Sequence, residues 1–283
     1  MFKVALPNCY FFHIPKTGGI STWQLLERSY PEAKICPGRM WDDIIQIPRG
    51  QLAQYQAFRG HFLNFLEPYI GRKLETFTVL RDPVERTISH YYHVRRSPEH
   101  PFHREANTLS LKEFCVHPRT RHMVQNYQSG YLACPDNKSP GELAGSMTGE
   151  DLAAYKLQLA LDPAPDAFPA PGKLYEAAID RLGSFVAVGI TELLQDSFSL
   201  FARALRLAAP PVFPIRNAAT NRPAAVDLDT QHIIRASTEV DQAVYEVTRR
   251  AVEQQLDVFG TGPYPYVAED QSGHLSAHGL HYQ

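Results

Sequence analysis

The repeated pairing of an apolar run with a helical pattern is the feature that most constrains how this chain folds. Residues 9–14 are apolar without alternation apart from His13, and residues 20–30 follow with Ile20, Trp23 and Leu26 at helical spacing. An apolar run without alternation is typical of a strand that is buried on both faces of a parallel sheet. The first 30 residues therefore predict a strand followed directly by a helix.

The same pairing occurs twice more along the chain. Residues 75–80 predict a strand, after which Asp82 is a good N-cap and Pro83 fits the first helical position. Residues 185–190 predict another strand, and we expect Thr191 to cap the helix that follows it. The apolar stripe of that helix has spacings of four, three and four residues, at Leu194, Phe198, Phe201 and Leu205.

Residues 56–59 predict a further strand, and residues 241–256 predict a last amphipathic helix. Because strands alternate with helices, we predict an α/β fold with a mostly parallel central sheet flanked by helices on both faces. Residues 133–172 are rich in Pro, Gly, Ala and Asp, and residues 261–283 have little to bury. We therefore expect one domain over residues 1–260, with a loop-rich insertion near 133–172 and a poorly structured C-terminal tail.

Composition restricts the class of protein and its partners. The chain has 283 residues, of which 44% are hydrophobic and 20% charged, as in ordinary soluble globular proteins. The formal net charge of −2 gives no global basic field, so we expect no nucleic-acid partner. No apolar run approaches the roughly 20 residues that span a bilayer, and no secretory leader pattern is visible at the N-terminus. The four cysteines form no Cys-x-x-Cys pair, so we expect reduced thiols in a cytoplasmic protein.

Ligands of parallel α/β sheets bind beyond the carboxyl ends of the strands. Lys16, His61 and Arg81 each follow a predicted strand at this end. These three side chains are therefore the first candidates for a functional site.

The turn after the first strand, Pro15-Lys16-Thr17-Gly18-Gly19, is suited to an anion. Glycines let backbone N–H groups point at an anion, and the positive end of the following helix adds to their effect. A Walker A loop has its lysine after the glycines, whereas Lys16 precedes them here. The turn therefore predicts an anion site other than the usual magnesium–nucleotide site. A plain strand–helix turn with a surface lysine is the alternative.

Arg81 lies at a strand end beside a helix N-terminus, where a guanidinium can bind a phosphate through two hydrogen bonds. Two separate cationic positions at neighbouring strand ends suit a ligand with two separate anionic groups. A capped helix with a structural Arg–Asp pair is the alternative interpretation.

Two segments, FFHIPKTGGIST and FTVLRDPVERTISHYY, resemble the signature segments of sulfotransferases that use 3′-phosphoadenosine 5′-phosphosulfate (PAPS). The likeness is closest to the branch with heparan sulfate 2-O-sulfotransferase and bacterial carbohydrate sulfotransferases. It is weaker at RGHF, NYQSGYL, VGITELLQDS and RNAATNRP. The resemblance implies a P-loop-like α/β fold and transfer of a sulfuryl group from PAPS to an acceptor hydroxyl, with 3′-phosphoadenosine 5′-phosphate (PAP) as product.

The resemblance also implies roles for individual residues. Arg81 and Ser89 would hold the 3′-phosphate. The segment RNAATNRP would close over the cofactor, with contacts from Thr220, Asn221 and Arg222. The 5′-phosphosulfate would be held by the residues of the first turn and helix, namely Lys16, Thr17, Gly18, Gly19, Ser21 and Thr22.

His61 matches the position of the catalytic histidine in the 2-O-sulfotransferase branch. An acceptor hydroxyl must lose its proton as the new S–O bond forms, and a positioned base contributes about 10²–10⁴-fold to such a step. Lys16 would stabilise charge on the bridging phosphate oxygen, and the scheme needs no metal. A hydrogen-bonded core histidine is the alternative for His61.

The pairs His90/His93 and His100/His103 also attract attention, because each pair is three residues apart near acidic residues. A zinc site would need further ligands and an ordered second shell. We favour a polar face near the acceptor cleft.

Two other functions stay open. A P-loop-type nucleotide kinase or phosphotransferase would show a Walker A loop and a carboxylate for magnesium, and the sequence has neither. A non-catalytic nucleotide-binding module could keep the fold without the chemistry, but Lys16 and His61 together favour an enzyme. We expect the acceptor to be a carbohydrate or glycosylated metabolite, with a glycolipid, a peptide or a small natural product as alternatives.

Overall fold

The computed structural model describes residues 6–133, 170–207 and 226–259. Its elements alternate between strands and helices, as predicted. In chain order they are β1 (Cys9–Phe12), α1 (Gly19–Ser29), α2 (Trp41–Ile44), α3 (Arg49–Leu52), β2 (Ala57–Gly60), α4 (Leu66–Ile70), β3 (Glu75–Leu80), α5 (Pro83–Arg96), α6 (His103–Thr108), α7 (Leu111–Val116), α8 (Tyr127–Ala133), α9 (Pro171–Gly183), β4 (Ala187–Ile190), α10 (Leu194–Ala204), α11 (Leu228–Ser237) and α12 (Glu239–Phe259).

The described strands form one parallel sheet in the order β2-β1-β3-β4. Phe11 is the register partner of Arg59 on β2 and of Phe77 on β3. All carboxyl ends therefore meet at one edge, and the ends of β2 and β3 lie on either side of the end of β1. The predicted α/β fold with a parallel central sheet is confirmed.

Helices cover both faces of the sheet because side chains of a strand alternate between its two sides. Tyr10 and Phe12 belong to a core that includes Val244 of α12 and Leu174 of α9. Phe11 belongs to the opposite core, which α1 and α10 also line. Two buried apolar layers thus enclose the sheet in the described part of the chain.

The element predictions were mostly accurate. Asp82 Oδ1 accepts a hydrogen bond of 2.9 Å from the Glu85 N–H, and Pro83 is the first residue of α5. The capping role of Thr191 was wrong, since a 3₁₀ turn intervenes and α10 begins at Leu194. The Thr191 hydroxyl instead donates to the Leu80 carbonyl at 3.0 Å and so ties the ends of β3 and β4 together.

The predicted insertion near 133–172 falls almost entirely outside the described residues, and the tail 261–283 lies wholly outside them. Within the described ranges, every helix is too short or too polar to cross a lipid bilayer.

Candidate active site

Three neighbouring strand ends bring the predicted residues Lys16, His61 and Arg81 to one edge of the sheet. Lys16 follows β1, His61 follows β2 and Arg81 follows β3. Arg81 Nη1 donates to the Lys16 carbonyl at 3.2 Å, and His61 Nδ1 lies 2.9 Å from the His13 carbonyl. The segment after β1 is therefore hydrogen-bonded to the segments that follow both neighbouring strands.

The turn between β1 and α1 has an unusual backbone. Gly18 is left-handed, with a φ of 89°, and Lys16 also has a positive φ, of 76°. Glycine adopts this conformation freely, whereas a lysine there is uncommon and marks a position worth explaining functionally. A side chain at Gly19 is excluded for another reason: a Cβ there would overlap three atoms of the His13 imidazole, the most distant at 2.9 Å.

The threonines of the turn stabilise its shape. Thr17 Oγ1 donates to the Ile14 carbonyl at 2.8 Å, and Thr22 Oγ1 donates to the Gly18 carbonyl at 3.2 Å. Gly18 is the N-cap of α1 and offers no side-chain cap to the first N–H groups of the helix. These N–H groups have no partner within the helix, so the turn presents backbone donors with the positive end of an eleven-residue helix behind them.

Lys16 is partly buried, and its ammonium forms no ion pair with any residue in the described ranges. The pKa of Lys16 is lowered from 10.5 to about 8, mainly by burial and in addition by the charges of Arg96, Arg81 and Arg86. Lysine is thus surrounded by guanidinium groups. Such a concentration of positive charge in a protein of net charge −2 favours an anionic ligand.

Arg81 is fixed through both its side chain and its backbone. Its guanidinium lies 3.5 Å from Glu85 Oε2 and 4.0 Å from Glu192 Oε1. The Gln128 amide accepts from the Arg81 N–H at 3.0 Å and donates to the Arg81 carbonyl at 2.8 Å. Asp241 is buried on α12 and accepts from the N–H of Gln128 at 3.0 Å, so α12 holds α8 in place and α8 holds the end of β3.

Arg86 is almost completely buried and anchors the first turn. Its Nε donates to the Pro15 carbonyl at 3.2 Å, its Nη1 donates to the Met123 carbonyl, and its guanidinium lies 3.6 Å from the ring centre of Tyr127. Burial lowers the pKa of Arg86 to about 10. The guanidinium is therefore held by carbonyls and an aromatic face while its positive charge acts on Lys16.

His61 has a defined tautomer in this arrangement. Its Nδ1 lies 2.9 Å from the His13 carbonyl and 3.2 Å from the Tyr131 hydroxyl. A carbonyl can only accept, so Nδ1 carries the proton of the neutral ring and Nε2 carries the lone pair. The His13 ring packs against the His61 ring with centroids 4.5 Å apart and fixes its plane.

Sequence reasoning missed Arg86, Gln128, Asp241, His13 and Tyr131. Gln128 and Tyr131 belong to the NYQSGYL segment, where the weak family likeness was a usable signal, and His13 and Arg86 lie inside the two signature segments. Asp241 gave no signal, because a lone acidic residue early in an amphipathic helix reads as an ordinary first-turn residue.

The other predicted residues have different outcomes. Ser21 is buried in the first turn of α1, and Ser89 is partly buried on α5, two turns after Arg81. The predicted contacts Thr220, Asn221 and Arg222 lie outside the described residues. Among the residues that are described, no group of three or more His, Cys, Asp or Glu side chains is arranged to hold a metal ion.

Comparison with known proteins found a matching family model and a similar solved structure. Residues 7–139 match the family model described as "Sulfotransferase family". The structure is similar to the crystal structure of a sulfotransferase from Alicyclobacillus acidocaldarius, with 16% identity and a TM-score of 0.47 over 88% of this chain and 100% of that chain. Comparison with curated proteins found no match.

Proposed function

We propose, from the match of residues 7–139 to the sulfotransferase family model, that this protein transfers the sulfuryl group of PAPS to an acceptor hydroxyl. A carbohydrate or glycosylated metabolite is the proposed acceptor class. The observation that carries the proposal is the meeting of Lys16, Arg81 and His61 at three adjacent strand ends. Two cations for a doubly anionic donor and one base for a hydroxyl are the groups that this reaction requires.

The described residues suit the anionic groups of such a donor. The first-turn N–H groups of α1 and the Lys16 ammonium would hold the 5′-phosphosulfate, with Gly18 and Gly19 allowing close approach to the backbone. The hydroxyls of Thr17 and Thr22 already donate to carbonyls, so their contribution would be to hold the turn in shape. Arg81 and Ser89 would hold the 3′-phosphate, and Thr220, Asn221 and Arg222 remain proposed contacts.

His61 would act as the general base through Nε2. The acceptor hydroxyl gives its proton to this nitrogen as its oxygen bonds to sulfur, and the bond from sulfur to the bridging phosphate oxygen breaks. The electron pair of that bond leaves with PAP. The His13 carbonyl, already bonded to Nδ1–H, would stabilise the imidazolium that forms. Lys16 would stabilise the charge on the leaving phosphate, a role in which one donor is worth about 10²–10³-fold in rate.

The test combines labelled PAPS with an extract of candidate acceptors and mass spectrometry of the sulfated product. Three variants then probe the roles: His61→Ala and Lys16→Ala should abolish transfer, and Arg81→Ala should weaken PAP binding. The matched controls His232→Ala, Lys73→Ala and Arg250→Ala remove the same residue types at exposed positions, and they should keep full activity.

Near-native turnover by a folded His61→Ala variant would exclude His61 as the base. Two further outcomes would contradict the proposal as a whole. Loss of activity in EDTA would point to a magnesium-dependent phosphotransferase. Binding of PAP without any sulfate transfer would point to a nucleotide-binding module.

A further inference from the structure

A stripe of cationic and imidazole side chains runs along α5 beside the proposed donor site. It consists of Arg86, His90, His93 and Arg96, spaced four, three and three residues apart, and we call it the α5 stripe. At 1.5 Å per residue, the stripe is about 15 Å long. Its first member, Arg86, donates from Nε to the Pro15 carbonyl at 3.2 Å, next to Lys16, and the charge of Lys16 lowers the pKa values of His90 and His93.

His100 completes a triangle of imidazoles at the carboxyl end of the stripe. The ring centroids of His90 and His93 are 6.4 Å apart, those of His90 and His100 are 6.1 Å apart, and those of His93 and His100 are 6.3 Å apart. His93 Nδ1 lies 3.4 Å from the Ser97 hydroxyl, and His100 Nδ1 accepts from the Phe102 N–H at 3.2 Å. The arrangement brings three titratable rings within reach of one small group.

His90 is the buried member of this triangle, with only 7% of its surface exposed. Both of its ring nitrogens are buried without a hydrogen-bond partner among the described residues, and the same holds for Arg86 Nη2. A buried polar atom without a hydrogen-bond partner lowers the stability of the folded state by roughly 1–3 kcal/mol, so its presence in a native protein needs a functional explanation. Here three unmatched nitrogens lie on one side of one helix.

The charges that face the triangle are almost all positive. Arg86 and Arg96 come from α5 and Lys16 from the first turn. The carboxylates that act on these groups are Glu99, which lies close to His93 and His100, and Asp241 of α12, which lies close to Arg86. Tyr127 of α8 packs against His90 with its ring 5.9 Å away, and His103 of α6 acts on His100.

We propose that Arg96, His90, His93 and His100 form an oxyanion subsite for the acceptor, and that an acceptor anion binds there together with a proton. The inference rests on the proposed function, because the acceptor must lie beside Lys16 to receive the sulfuryl group. It names the acceptor as a hydroxyl compound that carries its own carboxylate or sulfate ester. Burial, with the positive neighbours, lowers the pKa values of the three imidazoles and keeps them neutral. A bound anion would stabilise the protonated form, so one imidazole becomes protonated as the anion binds.

The subsite is distinct from the proposed position of the 3′-phosphate. Along α5, Arg96 lies seven residues or about 10 Å beyond Ser89, which is proposed to hold the 3′-phosphate, and saturation with PAP in the test below separates the two positions. Arg96 also forms no ion pair with any residue in the described ranges, whereas Arg81 has carboxylates nearby. The C-terminal end of α5 therefore offers its charge to a different anion.

The test uses protein saturated with PAP, so that the donor phosphate positions are filled. Glucose, glucuronate and glucose 6-sulfate are titrated calorimetrically at pH 7 in two buffers with different heats of ionisation. We expect both anionic sugars to bind at least about tenfold tighter than glucose, as for a charge-assisted hydrogen bond of about 1.5–3 kcal/mol. The anionic sugar that binds more tightly identifies the preferred anion. The difference between the binding heats in the two buffers should show that a fraction of one proton is taken up on binding.

Two variants locate the effect. Arg96→Gln should remove most of the preference for the anionic sugars, and His93→Gln should reduce the proton uptake. His93 is chosen because replacing the buried His90 risks the fold. The matched control is Arg95→Gln. Arg95 is exposed like Arg96, but its guanidinium lies 3.2 Å from the Tyr91 hydroxyl, and the variant should bind both sugars within about twofold of wild type.

Three results would overturn the subsite: equal affinity for glucose and both anionic sugars, a preference unchanged in Arg96→Gln, or a preference lost only in Lys16→Ala. The absence of proton uptake would overturn the coupling. Failure of the proposed function is distinguishable, because PAP would then not bind the wild-type protein or PAPS would support no transfer to any acceptor.

Discussion

The low pKa of Lys16 predicts how donor binding depends on pH. In the proposed donor site, PAP binding requires the charged ammonium, and the pKa of Lys16 is lowered to about 8 by burial and by the charges of Arg96, Arg81 and Arg86. The affinity for PAP should therefore fall about tenfold between pH 7 and pH 9, and about tenfold for each further pH unit, equivalent to about 1.4 kcal/mol per unit. A lysine with its ordinary value of 10.5 would give almost no change over this range.

The measurement is a calorimetric titration of PAP from pH 6.5 to 9.5. The second pKa of a phosphate group is about 6, so the charge of PAP changes little over most of this range. Lys16→Arg is the matched control, because a guanidinium keeps its charge throughout and should flatten the profile. Arg96→Gln should move the midpoint to higher pH, since it removes the strongest of the three neighbouring charges. A wild-type affinity that stays constant to pH 9.5 would refute both the burial argument and the role of Lys16.

Two further predictions concern the fold around the site. Gly19→Ala should destabilise the protein by about 1–3 kcal/mol and lower kcat, because the new Cβ displaces the His13 ring that packs on His61. The control is Gly172→Ala, which has open space around its Cβ and should change neither stability nor kcat. Denaturant unfolding should show stability falling from pH 7 to pH 5: burial lowers the pKa values of His90, His93 and His100, so the unfolded state binds more protons below about pH 6.5. Three such groups change the free energy of unfolding by at most about 4 kcal/mol per pH unit, and His93→Gln should reduce that slope. A free energy of unfolding that is constant or rises on acidification would contradict the lowered pKa values of these histidines.

The fold was predictable from sequence where local signals agreed with the tertiary structure. β3 has the predicted bounds, and α5 begins at Pro83 behind its Asp82 cap, because both depend on residues adjacent in the chain. Thr191 shows the limit of such reasoning. Its residue type and position are those of a helix N-cap. However, the carboxyl end of the neighbouring strand β3 presents the Leu80 carbonyl, and the Thr191 hydroxyl donates to this carbonyl instead.

The candidate site was likewise only partly predictable from sequence. Lys16, His61 and Arg81 were found because each follows a strand, and the carboxyl ends of parallel strands meet at one edge. Their supports were missed because Gln128 and Asp241 act from sequence separations of 47 and 113 residues. The burial of His90 was also missed, since its spacing on α5 fitted a polar face equally well.

The way the arginines are held explains how a protein of net charge −2 keeps a strongly cationic site. Arg86 donates to the Pro15 and Met123 carbonyls, and Arg81 donates to the Lys16 carbonyl. A carbonyl satisfies a guanidinium N–H and fixes its position, yet it contributes only a dipole, so most of the positive charge persists. A buried carboxylate in the same place would fix the position and cancel the charge together. At Arg86, backbone acceptors in place of carboxylates therefore order the first turn before any anion arrives and keep most of the positive potential. Arg81 differs, because Glu85 and Glu192 lie 3.5 Å and 4.0 Å from its guanidinium.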